Sequence, residues 1–393
     1  MRFAGRVPLR TVALEWARIG VTGVGGPPAH IALLRRLVVE RRGWIDGREL
    51  EDAIAACNLL PGPASTQLAI FCARRLAGPA GALLGGLCFI TPAVVAMIAL
   101  SALFLAHLPP AWVRGATAGA GAAVAAVAVR AALNLLGPSW RAAAGETASP
   151  GRRARWLVYV ALGAGAAAFF GAYLALVLVC LGAFELALRR TARGALHGHG
   201  APALLGLAAA AGAGSGGLAA LSWVALKVGA LSFGGGFVIV PLMQSDAVHT
   251  YHWLTATQFT GAVALGQATP GPVLATVAAV GYAAHGVGGA ALAAAIAFAP
   301  SFALVLFGAR HFQRLRANAH AGYFLDGAGP AAIGAILGAA VPLAEALHTT
   351  WQLLVLAAAA VALLVARRGI VSTLIAAGVT GAVAALAGAP LPR

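Results

Sequence analysis

Apolar positions fall in long runs, broken by short clusters of Gly, Pro and Arg. The runs lack the period-2 alternation of strands, so they read as helices rather than as a membrane barrel. In the first half they cover 8–24, 28–41, 48–60, 64–77, 79–106, 116–136, 156–170 and 171–188. In the second half they cover 218–233, 237–249, 258–269, 273–285, 289–309, 325–347, 351–366 and 369–388. The first two pairs in each half are short. A run of about 15 residues is about 22 Å long as a helix, too short for a ~30 Å hydrocarbon core. The pairs around Gly25-Gly26-Pro27-Pro28 and Pro61-Gly62-Pro63 therefore read as helical hairpins that dip into a membrane and return. The run 79–106 is long enough to span, with a kink expected at Pro92.

The pattern occurs twice. At an offset of 209, Gly20-Val-Thr-Gly-Val-Gly-Gly26 aligns with Gly229-Ala-Leu-Ser-Phe-Gly-Gly235. The same register pairs Arg18 with Lys227, Trp44 with Trp253, Asn58 with Gln267, and Pro61-Gly62-Pro63 with Pro270-Gly271-Pro272. After one deletion, Gly78, Gly81 and Pro92 pair with Gly286, Gly289 and Pro300. So many matches in one register mark a diverged tandem repeat. The halves are 1–196 and 218–393, joined by 197–217, which can supply a joining transmembrane segment.

Composition narrows the class. Hydrophobic types make up 61% of the 393 residues and charged types 10%, with a mean hydropathy of +0.87. Soluble domains carry about 25% charged residues, and disorder needs low hydrophobicity. The expected fold is an all-α polytopic membrane protein. The net charge of +16 does not point to nucleic acid, because the arginines sit in short tracts between apolar runs. Cys57, Cys72, Cys88 and Cys180 lack metal-ligand spacing and read as small apolar packing residues. Residues 1–10 carry three Arg and no A-x-A site follows, so no cleavable signal peptide is expected.

Charge placement predicts orientation. The first two hairpins of half one carry Arg35, Arg36, Arg41, Arg42, Arg48, Arg74 and Arg75. Their counterparts Gln244, Ser245, Thr250, Tyr251, Thr257, Ala283 and Ala284 carry none. The next connection reverses the bias: 107–111 is free of Arg and Lys, whereas 310–316 carries three Arg. The basic side switches between halves, which predicts an inverted repeat with broken helices. That topology puts every Arg except Arg18, Arg114, Arg130 and Arg393 on the cytoplasmic side.

Such repeats bind substrate near the midplane. In each hairpin the second helix starts at the tip: Gly25-Gly26, Pro61-Gly62-Pro63, Gly234-Gly235-Gly236 and Pro270-Gly271-Pro272. Free N–H groups and the positive dipole end there favour an anion. Arg18 and Lys227 lie seven residues before their Gly-Gly tips, about 10 Å away along a helix. A cation in apolar sequence suggests function, against snorkelling to an interface. His30 is either a donor or proton carrier, or a satisfied interior histidine. Asn58 and Gln267, with Ser65, Thr66 and Gln67, are placed as neutral donors. The charged run with Arg35, Arg36, Glu40, Arg41, Arg42 and Asp46 is either a gate or proton relay, or a solvated loop before a helix capped by Asp46. His197 and His199 read as loop residues, Glu15 and Glu185 as isolated carboxylates, and no metal site is expected.

These residues resemble the chromate ion transporter family in its long two-domain form. The first-half motif is Gly25-Gly26-Pro27 with Ala29-His30-Ile31, Leu34-Arg35-Arg36, Arg41-Arg42, Trp44, Asp46 and Leu60-Pro61-Gly62-Pro63-Ala64-Ser65. The second is Lys227-Val228-Gly229, Ser232-Phe233-Gly234-Gly235-Gly236, Pro241-Leu242, Gln267 and Pro270-Gly271-Pro272. The resemblance implies a multi-pass inner-membrane transporter that exports chromate, with sulfate as a related or competing anion. It departs from the family at Gly23-Val24, usually Ser-Phe, and at Asn58, usually Gln. No cofactor is expected, and no P-loop sequence is present to couple transport to ATP. Expected partners are the oxyanion and membrane lipid, with a homodimer left open. An embedded enzyme would need a catalytic constellation, and no HExxH or GxSxG occurs. A passive anion channel remains the other alternative.

Overall fold

The computed structural model describes residues 6–106, 109–145, 150–191, 217–232, 237–308 and 318–391. Gly234, Gly235 and Gly236, and all of the joining segment except Gly217, lie outside the described residues. Among those described, the elements are helical and none is a strand.

In half one, α1 (Leu9–Thr22) is followed by α2 (Pro27–Arg35), which runs on as a π turn, Arg36–Arg41. Then come α3 (Gly47–Leu59), α4 (Ala64–Phe104), α5 (Ala111–Ala143), α6 (Pro150–Phe169) and α7 (Leu174–Thr191). Half two has α8 (Leu218–Ala230) and α9 (Ile239–Gln244), with its own π turn, Ser245–Thr250. It continues with α10 (Ala256–Ala268), a 3-10 turn (Val273–Thr276), α11 (Val277–Gly308), α12 (Ala319–Gly338) and α13 (Ala340–Glu345). The chain ends with α14 (Thr350–Ala360), extended by Val361–Val365, and α15 (Ile370–Leu386).

The backbone repeats with the sequence. Adding 209 to the bounds of α3 and of the first π turn gives those of α10 and of the second. Asp46 caps α3 by accepting from the Arg48 N–H at 2.8 Å. Thr255, its counterpart, caps α10 in a reciprocal pair with Gln258. Gly62 and Gly271, at the centres of the two Pro-Gly-Pro tips, have φ of 116° and 105°. Glycine tolerates that region and other residues resist it. Helical geometry fails inside α4 at Ala77–Gly78 and inside α11 at His285–Gly286. Helical angles continue through Pro92, so the break in helical geometry falls at the glycine. The ten residue steps from Ala64 to Arg74 rise about 15 Å, half the depth of a ~30 Å core. α5 begins at Ala111 and ends at Ala143, longer than the apolar run because its polar ends stay helical.

Among the described residues, four helical stretches are long and apolar enough to cross a membrane: Ala64–Phe104, Ala111–Ala143, Val273–Gly308 and Ala319–Glu345. α1 packs on α4 and α8 packs on α11, and α4 and α11 join the halves at the centre. The terminal hairpins are exchanged. α6 and α7 of half one pack on α12, whereas α14 and α15 of half two pack on α5. Small residues permit the close approach. A Cβ on Gly20 would lie 2.6 Å from the Phe89 carbonyl oxygen, and one on Gly229 would strike that of Ala297.

Candidate functional site

Three of the four hairpin tips meet between the halves. α2 starts directly after Gly26, with Pro27 and Pro28 in its first turn. There the missing proline N–H leaves no bond unmade. The Gly271 N–H donates to the Gly23 carbonyl at 2.8 Å, tying the second Pro-Gly-Pro tip to the first Gly-Gly tip. His30 Nε2 lies 3.0 Å from that same carbonyl oxygen, and its Nδ1 lies 3.4 Å from Ser65 Oγ. A carbonyl can only accept, so Nε2 carries the proton and Nδ1 accepts from Ser65. His30 is fully buried, edge-on to Phe89 with centroids 5.1 Å apart. It links the tips through both ring nitrogens.

The contacts across the halves are reciprocal. A Cβ on Gly62 would lie 2.9 Å from Ser301 Oγ of α11. One on Gly271 would lie 2.6 Å from the Ala93 Cβ of α4. These pairs correspond at the repeat offsets, so a pseudo-two-fold relates the two contacts.

Their chemistry differs. At the first Pro-Gly-Pro tip, Ser65, Thr66 and Gln67 are buried. The Gln67 amide donates to the Pro61 carbonyl at 2.6 Å. Thr66 Oγ1, Gln67 Oε1 and Ser301 Oγ have no hydrogen-bond partner among the described residues. Neither do Ser232 Oγ and Gln267 Nε2. Such a group costs about 1–3 kcal/mol when left unmet, so Gln67 and Ser301, both beside Gly62, fit a polar guest. At the second tip the matching positions are Leu274, Ala275 and Thr276, and Thr276 is satisfied by the Val273 carbonyl at 2.8 Å.

The two expected cations differ as well. Lys227 is nearly buried and ion-paired with Asp246 in the second π turn, itself 7% exposed. π turns recur at functional sites. Arg18 is exposed on the surface of α1. Asp246 and Ser301 escaped the sequence reading. A lone buried acid spaced irregularly from Lys227 is visible in the sequence, but nothing there pairs them.

Asn58, in the last turn of α3, is exposed. The charged run is an ion-paired surface. Arg35 pairs with Glu51, and Arg42 bonds Glu15 at 2.9 Å and lies 5.3 Å from the Trp44 ring centre. Arg75 bonds Glu49 at 2.6 Å. Arg36, Glu40 and Arg41 are exposed. Glu15 and Glu185, isolated in sequence, are therefore both paired in space, since Glu185 bonds Arg155, Tyr159 and Arg189. No group of three or more His, Cys, Asp or Glu suited to a metal occurs among the described residues.

The chromate transporter family model matches residues 10–213 and again 219–389. A chromate transport protein of Cupriavidus metallidurans is 31% identical over 379 residues, covering 94% of this chain and 91% of that protein. A probable chromate transport protein of Synechococcus elongatus is 28% identical, covering 86% of each. A chromate transport protein of Pseudomonas aeruginosa is 30% identical, covering 84% of this chain and 80% of its own length. No solved structure matches. With a twice-matched family model and such coverage, this multi-pass membrane chain belongs to the chromate transporter family.

Proposed function

We propose that this chain is a secondary transporter that exports chromate across the cytoplasmic membrane, with sulfate competing for the same site. The meeting of the hairpin tips around the unpaired Thr66, Gln67 and Ser301 carries this reading. Hydroxyl and amide donors beside helix N-termini suit a tetrahedral dianion. The names of the relatives supply the cargo.

Gly25, Gly26, Pro61, Gly62, Pro63, Pro270, Gly271 and Pro272 form the frame in this reading, and His30 and Ser65 brace it. Gln267 is a neutral donor. Lys227 supplies charge. Because Asp246 already occupies it, the anion must compete with that carboxylate. A buried charge left without its partner is strongly unfavourable, so binding and the Asp246 position are coupled. The halves lie inverted, and the inside-negative potential favours export by ~2.3 kcal/mol per charge per 100 mV.

Uptake of radioactive chromate into everted vesicles tests the function. Saturable uptake suppressed by excess sulfate is expected, and absence of uptake by inserted protein refutes the cargo. Cysteines introduced as Glu40→Cys and His249→Cys should label from opposite faces, and labelling from one face refutes the inversion.

A further inference from the structure

Beside the joined tips lies a cavity of about 450 Å³ that no motif marks. Asn58 and Val238 line it at the hairpins, and Arg152, Arg155 and Arg189 line it at the ends of α6 and α7. At ~30 Å³ per water in the liquid, it holds on the order of a dozen waters.

Its charged wall is built in two layers. Glu185, 1% exposed, lies behind the arginines. It accepts from Arg155 Nε at 2.8 Å, Tyr159 OH at 2.8 Å and Arg189 Nε at 2.7 Å. The three arginine side chains keep between 23% and 33% of their surface exposed. Each guanidinium has more N–H donors than the carboxylates use. Asp326 of α12 reaches Arg189 at 2.9 Å and Arg152 at 3.5 Å, and its side chain is 37% exposed. Three cations against two carboxylates leave the wall positive.

Packing does not require these charges. Gly119 meets Ala377 and Gly381, and Gly327, 208 residues later, meets Leu181 and Glu185. Glu185 thus stands where the other terminal hairpin has Gly381. The cavity on that second hairpin, lined mostly by Ala, Leu and Val, has Arg368 as its one charged residue among those that line it.

We propose that this cavity is the cytoplasmic vestibule of the transporter, where Arg152, Arg155 and Arg189 take up a tetrahedral oxyanion before it passes Asn58 to the tips. The proposal rests on the transport reading above. Arg152 and Arg155 open α6 and Arg189 closes α7, so all three lie at one end of the hairpin, with the arginine excess of a cytoplasmic face. Glu185 is a positioning residue that fixes two guanidinium forks, and Asp326 competes with the anion for Arg152 and Arg189. Forked donors match a tetrahedral oxyanion in two-bond contact, which a lysine cannot copy.

Purified full-length protein in vesicles of neutral lipid tests this, with chromate and sulfate as probes for flux and equilibrium binding. Arg155→Lys should weaken anion binding and raise KM roughly tenfold with Vmax little changed. Asp326→Asn should tighten binding roughly threefold, by removing the competing charge. Opposite shifts cannot both arise from misfolding. Unchanged binding and KM in both variants overturn the vestibule. The same shifts with sulfate alone keep the vestibule and refute chromate as cargo. A phospholipid headgroup shares the oxyanion chemistry. If adding phosphatidylglycerol abolishes anion binding to the parent protein but not to Arg155→Lys, the arginines hold lipid and the proposal falls.

Discussion

The two π turns stand at equivalent places in the repeat and do opposite things. In Arg36–Arg41 the chain sets Arg36, Glu40 and Arg41 on the exposed surface, and Leu37 fills the interior. In Ser245–Thr250 the residue matching Leu37 is Asp246, buried against Lys227. The backbone is shared while the charge has moved from surface to core. Duplication kept the frame, which depends on glycines and helix lengths. It left the side chains at the frame's centre free to diverge, so a pseudo-symmetric protein holds an asymmetric interior.

Breaking the buried pair tests this contrast most severely. Asp246→Leu copies half one and strands Lys227, so it should destabilise the protein by about 3–5 kcal/mol and abolish flux. The double variant with Lys227→Met should regain most of the stability, read by thermal unfolding in detergent, and none of the transport. Recovery of transport would show the pair to be structural only. Next in size are Gly20→Ala and Gly229→Ala, which press a methyl on Phe89 and Ala297 carbonyls. Each should cost about 1–3 kcal/mol, and nearly equal costs would show that the halves share one frame.

The tips allow a finer comparison. Ser301→Ala makes the first junction resemble the second, where Ala93 stands. Flux should fall roughly tenfold while stability holds or rises by about 1 kcal/mol, since an unmet buried hydroxyl is lost. Thr276→Ala at the second tip should leave flux nearly intact; an equal loss at both tips would dissolve the asymmetry. The smallest effect belongs to the surface. Arg75→Ala breaks an exposed pair with Glu49 and should change unfolding by under about 1 kcal/mol.

Much of this was legible along the chain. Helices in lipid must satisfy their own backbone, so apolar runs and Gly/Pro breaks mark them directly. The runs 48–60 and 258–269 fall within a residue or two of α3 and α10. The Pro-Gly-Pro tips and the Gly78 and Gly286 breaks are local backbone events, written in local residues. Pro92 lies in a stretch of α4 whose φ/ψ stay helical, and the non-helical residues of α4 are Ala77 and Gly78. Glu185 read as isolated because Arg155, 30 residues away in sequence on α6, becomes its neighbour only when α6 and α7 pair as a hairpin.

By itself, then, the sequence determined an all-α membrane chain, its duplication, its hairpin tips and its family resemblance, because each rests on local hydropathy, glycine and proline. Tertiary structure alone decided that Asp246 meets Lys227, that Ser301 of one half faces Gly62 of the other, and that Asp326 joins Glu185 through Arg189. Those partners lie on different helices, several of them in different halves. The exchange of hairpins between halves brings Arg189 to Asp326, whereas Lys227 and Asp246 meet within half two when the first hairpin of that half closes.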